Sequence, residues 1–282
     1  MKETDLREGE VEQLATGFGF VEGPVWHQDG YWLFSDIPSN RIHKITPEGE
    51  VGIYREPSGN SNGLTLNWAG RLLACEHGNR RVSIADIGGV EETFADNYEG
   101  KKLNSPNDVV VHSSGAVYFT DPPYGIKPEQ MEQPCAGVYR VDPDGAMRCV
   151  IEDFEKPNGL AFSPDESVLY IDDSHYQHIR AFDVAADGSL NNSRMFADMS
   201  HDGDGVPDGM KVDQEGNLYA TNALGIWVYN PAGDFLGLIS VPEVPANCAW
   251  GGDGRTLFMT ARTSVYRVRM CIAGMAVRTS DL

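Results

Sequence analysis

Six polar residues recur along this chain, each at the start of a similar short segment, and together their side chains suit one kind of chemistry. The segments begin Glu22-Gly-Pro, Asn62-Gly-Leu, Asn107-Asp-Val, Asn158-Gly-Leu, Asp208-Gly-Met and Asn247-Cys-Ala, and successive starts lie 39 to 51 residues apart. Two of the six side chains are carboxylates and four are amides, so all offer oxygen acceptors. Oxygen ligands are what a hard divalent cation prefers. We call these six the ring residues, because equivalent positions of a repeat can form a ring in the folded protein. If the fold brings them together, they predict a site for one divalent cation.

The type of ion follows from the same donors. Ca²⁺ fits an oxygen-only site best, although Mg²⁺, Mn²⁺, Zn²⁺ and Fe²⁺ are also compatible with it. The competing interpretation is that Asn-Gly and Asp-Gly merely supply turns. Turn chemistry accounts for Asn62, Asn158 and Asp208, but it does not account for Glu22 followed by Gly-Pro at the equivalent place. We therefore favour the cation site.

A second polar set follows the first, fourteen residues further on in each of five repeats. Its members are Asp36, Glu76, Asp121, Asp172 and Asn222. We interpret Asp36 and Asp172 as residues that begin loops. Asp121 opens the segment Asp-Pro-Pro-Tyr-Gly, which leads into an insertion at residues 126–136, and Tyr124 in that segment is placed to close over a ligand. Loops at the rim of a rigid scaffold commonly carry binding residues.

The elements that must position these residues are short strands. In each repeat a turn-rich pair such as Asp29-Gly30 precedes an aromatic and β-branched run, and further strand-like runs follow. Repeats of 39 to 51 residues with about four strands each are typical of propeller blades. The sequence therefore predicts an all-β fold, a six-bladed β-propeller of four-stranded blades with a central metal site. We expect one domain over residues 1–282, with a strand at residues 11–15 completing the last blade.

Composition restricts the partners. Lys plus Arg number 22 and Asp plus Glu 42, which gives a formal net charge of −20 and argues against binding to nucleic acid or to an anionic membrane. The N-terminal residues lack an apolar stretch of signal-peptide length, and five widely spaced cysteines without a C-x-x-C pair indicate free thiols. We expect a cytoplasmic protein, a monomer by default, whose partner is a small molecule.

Several of these segments resemble a known family. They are residues 21–26, 61–64, 75–82, 104–109, 118–125, 156–165, 205–210 and 246–252. In this order they are similar to the lactonase family that includes gluconolactonases and regucalcin, also called senescence marker protein. The vertebrate branch carries an Arg where this chain has Ser105, so the chain more closely resembles the microbial gluconolactonase branch.

The resemblance implies a six-bladed propeller with one divalent ion, and it implies roles for individual residues. Glu22, Asn158 and Asp208 correspond to metal ligands, and Asn107 either joins them or binds substrate. Asp208 also corresponds to the proposed general base. We further predict substrate contacts for Asn62, Glu76, Asn107, Asp121 and Tyr124.

The implied reaction is hydrolysis of a sugar lactone such as gluconolactone to the aldonic acid. A bound cation polarises the ester carbonyl. Either Asp208 takes a proton from the attacking water, whose pKa the ion lowers, or a metal-bound hydroxide attacks directly. Two alternatives stay open at this point. One is an organophosphate hydrolase that acts on compounds such as diisopropyl fluorophosphate, and the other is a calcium-binding propeller without enzymatic activity.

Overall fold

Six four-stranded antiparallel sheets and one small hairpin are the β-structure of the described residues. The computed structural model describes residues 1–86 and 88–275, and within these ranges the helical residues are those of one 3₁₀ turn, Pro128–Gln130. The prediction of an all-β, six-bladed β-propeller with four-stranded blades is confirmed. The five cysteines are free, as the spacing indicated.

Each of the first three blades is continuous in the sequence, from the innermost strand to the outermost. Blade 1 contains β2 (Val21–His27), β3 (Tyr31–Asp36), β4 (Arg41–Ile45) and β5 (Val51–Arg55). Blade 2 contains β6 (Ser61–Leu66), β7 (Leu72–Glu76), β8 (Arg81–Ala85) and β9 (Glu92–Ala95). After the small hairpin of β10 (Asn97–Tyr98) and β11 (Lys101–Lys102), blade 3 contains β12 (Val109–Val111), β13 (Val117–Asp121), β14 (Ala136–Val141) and β15 (Met147–Phe154).

The last three blades follow the same order, except that the sixth takes its outer strand from the beginning of the chain. Blade 4 contains β16 (Pro157–Phe162), β17 (Val168–Asp173), β18 (His178–Val184) and β19 (Leu190–Asp198). Blade 5 contains β20 (Met210–Val212), β21 (Leu218–Asn222), β22 (Gly225–Tyr229) and β23 (Phe235–Ser240). Blade 6 contains β24 (Pro245–Gly251), β25 (Thr256–Ala261), β26 (Ser264–Met270) and β1 (Arg7–Thr16).

The pairing of β1 with β26 joins sequence-distant segments in one sheet. Arg7 lies opposite Met270 and Thr16 lies opposite Ser264 in an antiparallel ladder. This pairing covers an edge that β26 would otherwise expose. The innermost strand of blade 6 also packs beside that of blade 1, so the six inner strands form a closed ring.

The hydrophobic core is divided into six clusters, each between two adjacent blades. Trp32 and Phe34 of blade 1, for example, pack against Phe258 and Val265 of blade 6. The other five clusters join successive blades in the same way. Burial of these side chains drives folding and fixes the angle between neighbouring blades, which in turn fixes where the ring residues meet.

The strand that completes blade 6 is longer than the sequence predicted. The pattern indicated a strand at residues 11–15, whereas β1 spans Arg7–Thr16. The residues of β1 are exposed or half-buried. Because a strand without a buried face has little hydrophobic alternation, its ends are not visible in the sequence.

Candidate active site in the central channel

The ring residues lie at the start of the innermost strands, where backbone bulges turn their side chains. Four of them lie within the innermost strands β2, β6, β16 and β24, namely Glu22, Asn62, Asn158 and Asn247. The other two, Asn107 and Asp208, lie two residues before β12 and β20. The strand register shifts at each of the first four positions. A bulge re-aims a side chain, which is how a residue within a paired strand comes to face the channel.

The glycine after a ring residue allows neighbouring strands to approach closely. A Cβ atom at Gly159 would lie 2.0 Å from the carbonyl oxygen of Asp208, and one at Gly23 would lie 2.0 Å from that of Asn62. These glycines are therefore required by close contact between blades. The turn interpretation of Asn-Gly is wrong here, since Asn62-Gly63 and Asn158-Gly159 lie within strands.

Three amide side chains form a chain of hydrogen bonds across the channel. Asn62 Nδ2 donates to Asn107 Oδ1 over 2.6 Å, and Asn107 Nδ2 donates to Asn158 Oδ1. Asn158 Nδ2 donates to Ser174 Oγ over 3.0 Å, and Ser174 Oγ donates to the carbonyl oxygen of Pro207 over 2.7 Å. Because the amide nitrogen of Asn158 donates to Ser174, the amide oxygen of Asn158 points toward the other ring residues.

Four carboxyl groups share the same end of the channel. Glu22, Asp108 and Asp172 are buried and Asp208 is half-buried. Burial and the Asp108 charge raise the pKa of Glu22 to about 7. Burial, together with the charges of Glu22, Asp172 and Asp108, raises the pKa of Asp208 well above its usual value. The four groups therefore crowd negative charge into a region of low dielectric constant.

Asn247 connects this acidic cluster to a lysine. Its Nδ2 donates to Glu22 Oε2 over 3.0 Å and to Asp108 Oδ2 over 3.4 Å. Its Oδ1 accepts from Lys211 Nζ over 3.5 Å. Burial raises the pKa of Asp108 as it does that of Glu22, and the Lys211 charge opposes the rise in both carboxyl groups.

The residues fit a hard divalent cation. Among the described residues, no three His, Cys, Asp or Glu side chains form a metal-binding group by themselves, so amide oxygens are needed to complete a site. The cluster supplies both kinds of oxygen, the carboxylates of Glu22 and Asp208 and the amides of Asn107 and Asn158. In addition, Asp172 Oδ2 is buried without a hydrogen-bond partner. This donor chemistry and the excess negative charge suit Ca²⁺ or another hard cation.

Besides Asn107, two of the five predicted substrate residues lie at this site. Asn62 contacts both Asn107 and the ring nitrogen Nε2 of His77. Tyr124 is 40% exposed, and its hydroxyl interacts with Ser174 and Asn158. Burial and the charge of Asp208 raise its pKa, so the hydroxyl stays protonated and able to donate.

The other two predicted substrate residues are buried in structural roles. Both oxygens of Asp121 accept backbone N–H groups, those of Asn104 and Ser105, over 2.7 Å. Glu76 accepts from Arg81 Nε over 2.7 Å and from Asn79 over 2.6 Å. These hydrogen bonds hold Asp121 and Glu76 outside the cluster of amides and carboxylates.

The loop-beginning role predicted for Asp172 is wrong, whereas that of Asp36 agrees with its contacts. Asp36 accepts backbone N–H groups of Gly19 and Phe20. In blade 4 this role belongs to Asp173, which accepts from the backbone of Glu155 and His175. Because the fourth hairpin is one residue longer, a spacing of fourteen selects Asp172, whose charge acts on Asp208. Asn222, the fifth member of the set, donates to the carbonyl oxygen of Met199.

Sequence reasoning missed Asp108, Lys211 and Ser174, and it gave no histidine, His77 included, a role in the site. A signal existed for Asp108, because it replaces the glycine that follows the ring residue in four other repeats. Lys211 was visible as a charged residue within an apolar inner strand. His77, whose pKa burial lowers to about 4, and Ser174 reach the site through tertiary contacts that no local pattern encodes.

The fold and the site together define a six-bladed propeller with an acidic, oxygen-lined centre. Residues 20–263 match the family described as SMP-30/Gluconolactonase/LRE-like region. The chain belongs to this family, and the predicted resemblance is confirmed.

Named relatives agree with this assignment. A gluconolactonase of Zymomonas mobilis is 38% identical over 92% of this chain and 81% of its own length. Pentonolactonase XacC of Haloferax volcanii is 31% identical over 85% of this chain and 80% of its own length. The solved structure of XC5397 from Xanthomonas campestris, a gluconolactonase, superposes with a TM-score of 0.88 at 33% identity and covers 95% of this chain and 93% of that one. In the described ranges, no helix has the length and apolar character needed to span a membrane.

Proposed function

We propose that the protein is a metal-dependent lactonase that hydrolyses sugar (aldono-)lactones, such as gluconolactone, to the aldonic acid. The observation that carries the proposal is the cluster of Glu22, Asp208, Asn107 and Asn158 at one end of the channel, in a chain 38% identical to a gluconolactonase. Similarity to lactonases alone supports the reaction class. The cluster supports where the reaction occurs.

Glu22, Asn158, Asp208 and Asn107 are the residues that would hold the ion, with Ca²⁺ favoured by the oxygen donors. A bound divalent cation supplies Lewis-acid polarisation of the lactone carbonyl and stabilises negative charge on its oxygen. The chain prepares this site in advance. Ser174 and the carbonyl of Pro207 orient the Asn158 amide, and Asn247 orients the carboxylate of Glu22.

Asp208 is suited to move the proton. It is half-buried, in contrast to the buried Glu22, Asp108 and Asp172, so water reaches it. It accepts the proton of the water that attacks the carbonyl carbon, and it returns that proton to the ring oxygen as the carbon–oxygen bond breaks. The product is the open-chain hydroxy acid, which then releases one proton to the solvent at neutral pH.

Substrate binding falls to residues beside the cluster. The phenol ring of Tyr124 lies at the exposed end of the site, with the Lys156 ammonium 5.8 Å from its centre. The apolar face of the ring can pack against the carbon-bound hydrogens of a sugar, while its hydroxyl donates to a sugar oxygen. Asn62 and Asn107 provide further polar contacts. Asp121 contributes indirectly, because it holds the backbone of Asn104 and Ser105, which precedes Asn107.

The test is proton release from D-glucono-δ-lactone and D-xylonolactone, measured against the spontaneous rate. Protein treated with a chelator is resupplied with Ca²⁺, Mn²⁺, Zn²⁺, Mg²⁺ or Fe²⁺ in separate samples. We expect chelated protein to fall to the background rate and one or more ions to restore hydrolysis. Background rates with every ion would overturn the proposal. Diisopropyl fluorophosphate, assayed in parallel, tests the organophosphate alternative, and cation binding without any turnover would favour a non-enzymatic propeller.

A further inference from the structure

Beneath the acidic cluster the channel becomes apolar. A cavity of about 150 Å³ is lined there mainly by hydrophobic side chains of the inner strands. They include Val25, Leu64, Val110, Phe162 and Trp250. Lys211 and Glu166 are the charged members of this lining. Lys211 therefore lies at the boundary between the two halves of the channel.

The strand geometry directs Lys211 toward blade 6, at the wall of the channel. Its neighbours Met210 and Val212 are buried in the cluster between blades 4 and 5. Because successive side chains of a strand point to opposite faces, Lys211 points away from that cluster. Its ammonium group donates to the carbonyl oxygen of Met210 over 2.9 Å and to Asn247 Oδ1 over 3.5 Å. These bonds hold the charge below the ring.

The side-chain amide of Asn247 links the Lys211 ammonium group to two carboxylates. Asn247, which accepts from Lys211, donates to both Glu22 Oε2 and Asp108 Oδ2. In the apolar surroundings of this channel, charges interact more strongly than they do in water. The lysine charge therefore acts on the same carboxylates that attract a divalent cation.

We propose that Lys211 is a fixed internal cation that sets the affinity of the ring for its divalent ion. The inference rests on the metal site proposed above and adds a residue that is neither a ligand nor a base. The positive charge offsets part of the negative charge of Glu22 and Asp108, which stabilises the metal-free protein. The same charge repels a divalent ion and weakens its binding, so the site can exchange the ion.

Removal of the charge tests both effects. The Ca²⁺ dissociation constant is measured by calorimetry for the wild type, Lys211→Met, Lys211→Gln and Lys211→Arg, with Lys44→Met as the matched control. Lys44 is an exposed lysine of β4. We expect Lys211→Met and Lys211→Gln to bind Ca²⁺ about tenfold more tightly, and Lys211→Arg and Lys44→Met to resemble the wild type. Lys211→Gln retains a donor to Met210 and serves if Lys211→Met does not fold.

Melting temperatures separate this role from simple packing. With a chelator present, the two neutral variants should melt below the wild type, and with saturating Ca²⁺ the difference should shrink or reverse. Equal Ca²⁺ affinities together with an equal loss of stability in both conditions would overturn the inference and leave the metal site intact. Failure of the wild type itself to bind Ca²⁺ or Mn²⁺ would overturn the metal site and this inference together.

Discussion

The two halves of the central channel are built by the same six inner strands, yet they differ in character. At the start of the strands, the amide of Asn107 donates a hydrogen bond to that of Asn158. The carboxyl groups of Glu22 and Asp208 lie at the same level and interact through their charges. A few residues further along lies the apolar cavity. Among the described residues, the groups that could bind a cation are therefore concentrated at one level of the propeller. The lower half supplies packing and a largely apolar wall, which strengthens the electrostatic interactions above it.

The largest effect is expected when the acidic half loses its proton acceptor. Asp208→Asn keeps the size of the side chain but removes the base, so kcat/KM for D-glucono-δ-lactone should fall about 10³-fold. Stability without metal should not fall, because a carboxylate in a crowded acidic cluster is removed. Asp204→Asn, at an exposed position of the preceding loop, is the control and should retain activity. Near-normal activity of Asp208→Asn would remove Asp208 from the mechanism.

A charged side chain placed in the apolar lower half should destabilise the protein. Val25→Asp buries a carboxylate in the apolar cavity, because Val25 lines it and is 3% exposed, so the free energy of unfolding should fall by about 3 kcal/mol. Urea denaturation measures this loss. The control Val90→Asp, at a position that is 86% exposed, should change stability little. An equally small effect at Val25 would mean that water reaches the lower half as readily as the upper half.

Glu76 tests whether a buried acid outside the cluster contributes to binding. Its carboxylate is buried and accepts from Arg81 and Asn79, so Glu76→Gln should cost about 2 kcal/mol of stability because the half-buried Arg81 is left with its more distant acidic partner, Glu91. KM for the lactone should stay within about twofold. Glu92→Gln, whose carboxylate pairs with Arg71 at the surface, should alter neither quantity. A large rise in KM for Glu76→Gln would restore the predicted substrate contact.

The smallest effect distinguishes two adjacent acids at the end of β17. Asp172→Asn removes a buried charge whose Oδ2 atom has no hydrogen-bond partner, and it should raise the free energy of unfolding in chelator by about 1 kcal/mol. Asp173→Asn should act in the opposite direction, because its oxygens accept backbone N–H groups of Glu155 and His175. Melting curves of both variants check the signs. The same sign for both would contradict the different roles assigned to them.

Repetition made the fold predictable. The turn-and-strand unit recurs six times, so a weak pattern in one repeat can be recognised by comparison with the other five. The inner strand was predicted in every blade for this reason. The ring residues were predicted for the same reason, since equivalent positions in a closed ring must meet. Asp172 shows the limit of this reasoning. One extra residue in the fourth hairpin moved the equivalent position to Asp173 and placed Asp172 in the acidic cluster.

Residues that appear once in the chain were harder to assign. Ser174 orients Asn158 through a contact between residues sixteen apart, and His77 reaches Asn107 from thirty residues away. Glu76 and Asp121 had the residue type of a substrate ligand, but their oxygens are taken by Arg81 and by backbone N–H groups. Residue type specifies which bonds a side chain can form, whereas packing decides which of them it does form.

The sequence by itself determined the six repeats, the family and the oxygen-rich composition of the ring, because these depend on residue types at regular spacing. Only the tertiary structure decided which acids face one another and which cation lies beneath them. Asp108, Asp172 and Lys211 act on Glu22 and Asp208 through space. Electrostatic interactions depend on distance and local dielectric constant, and both are fixed only when the last blade closes against the first.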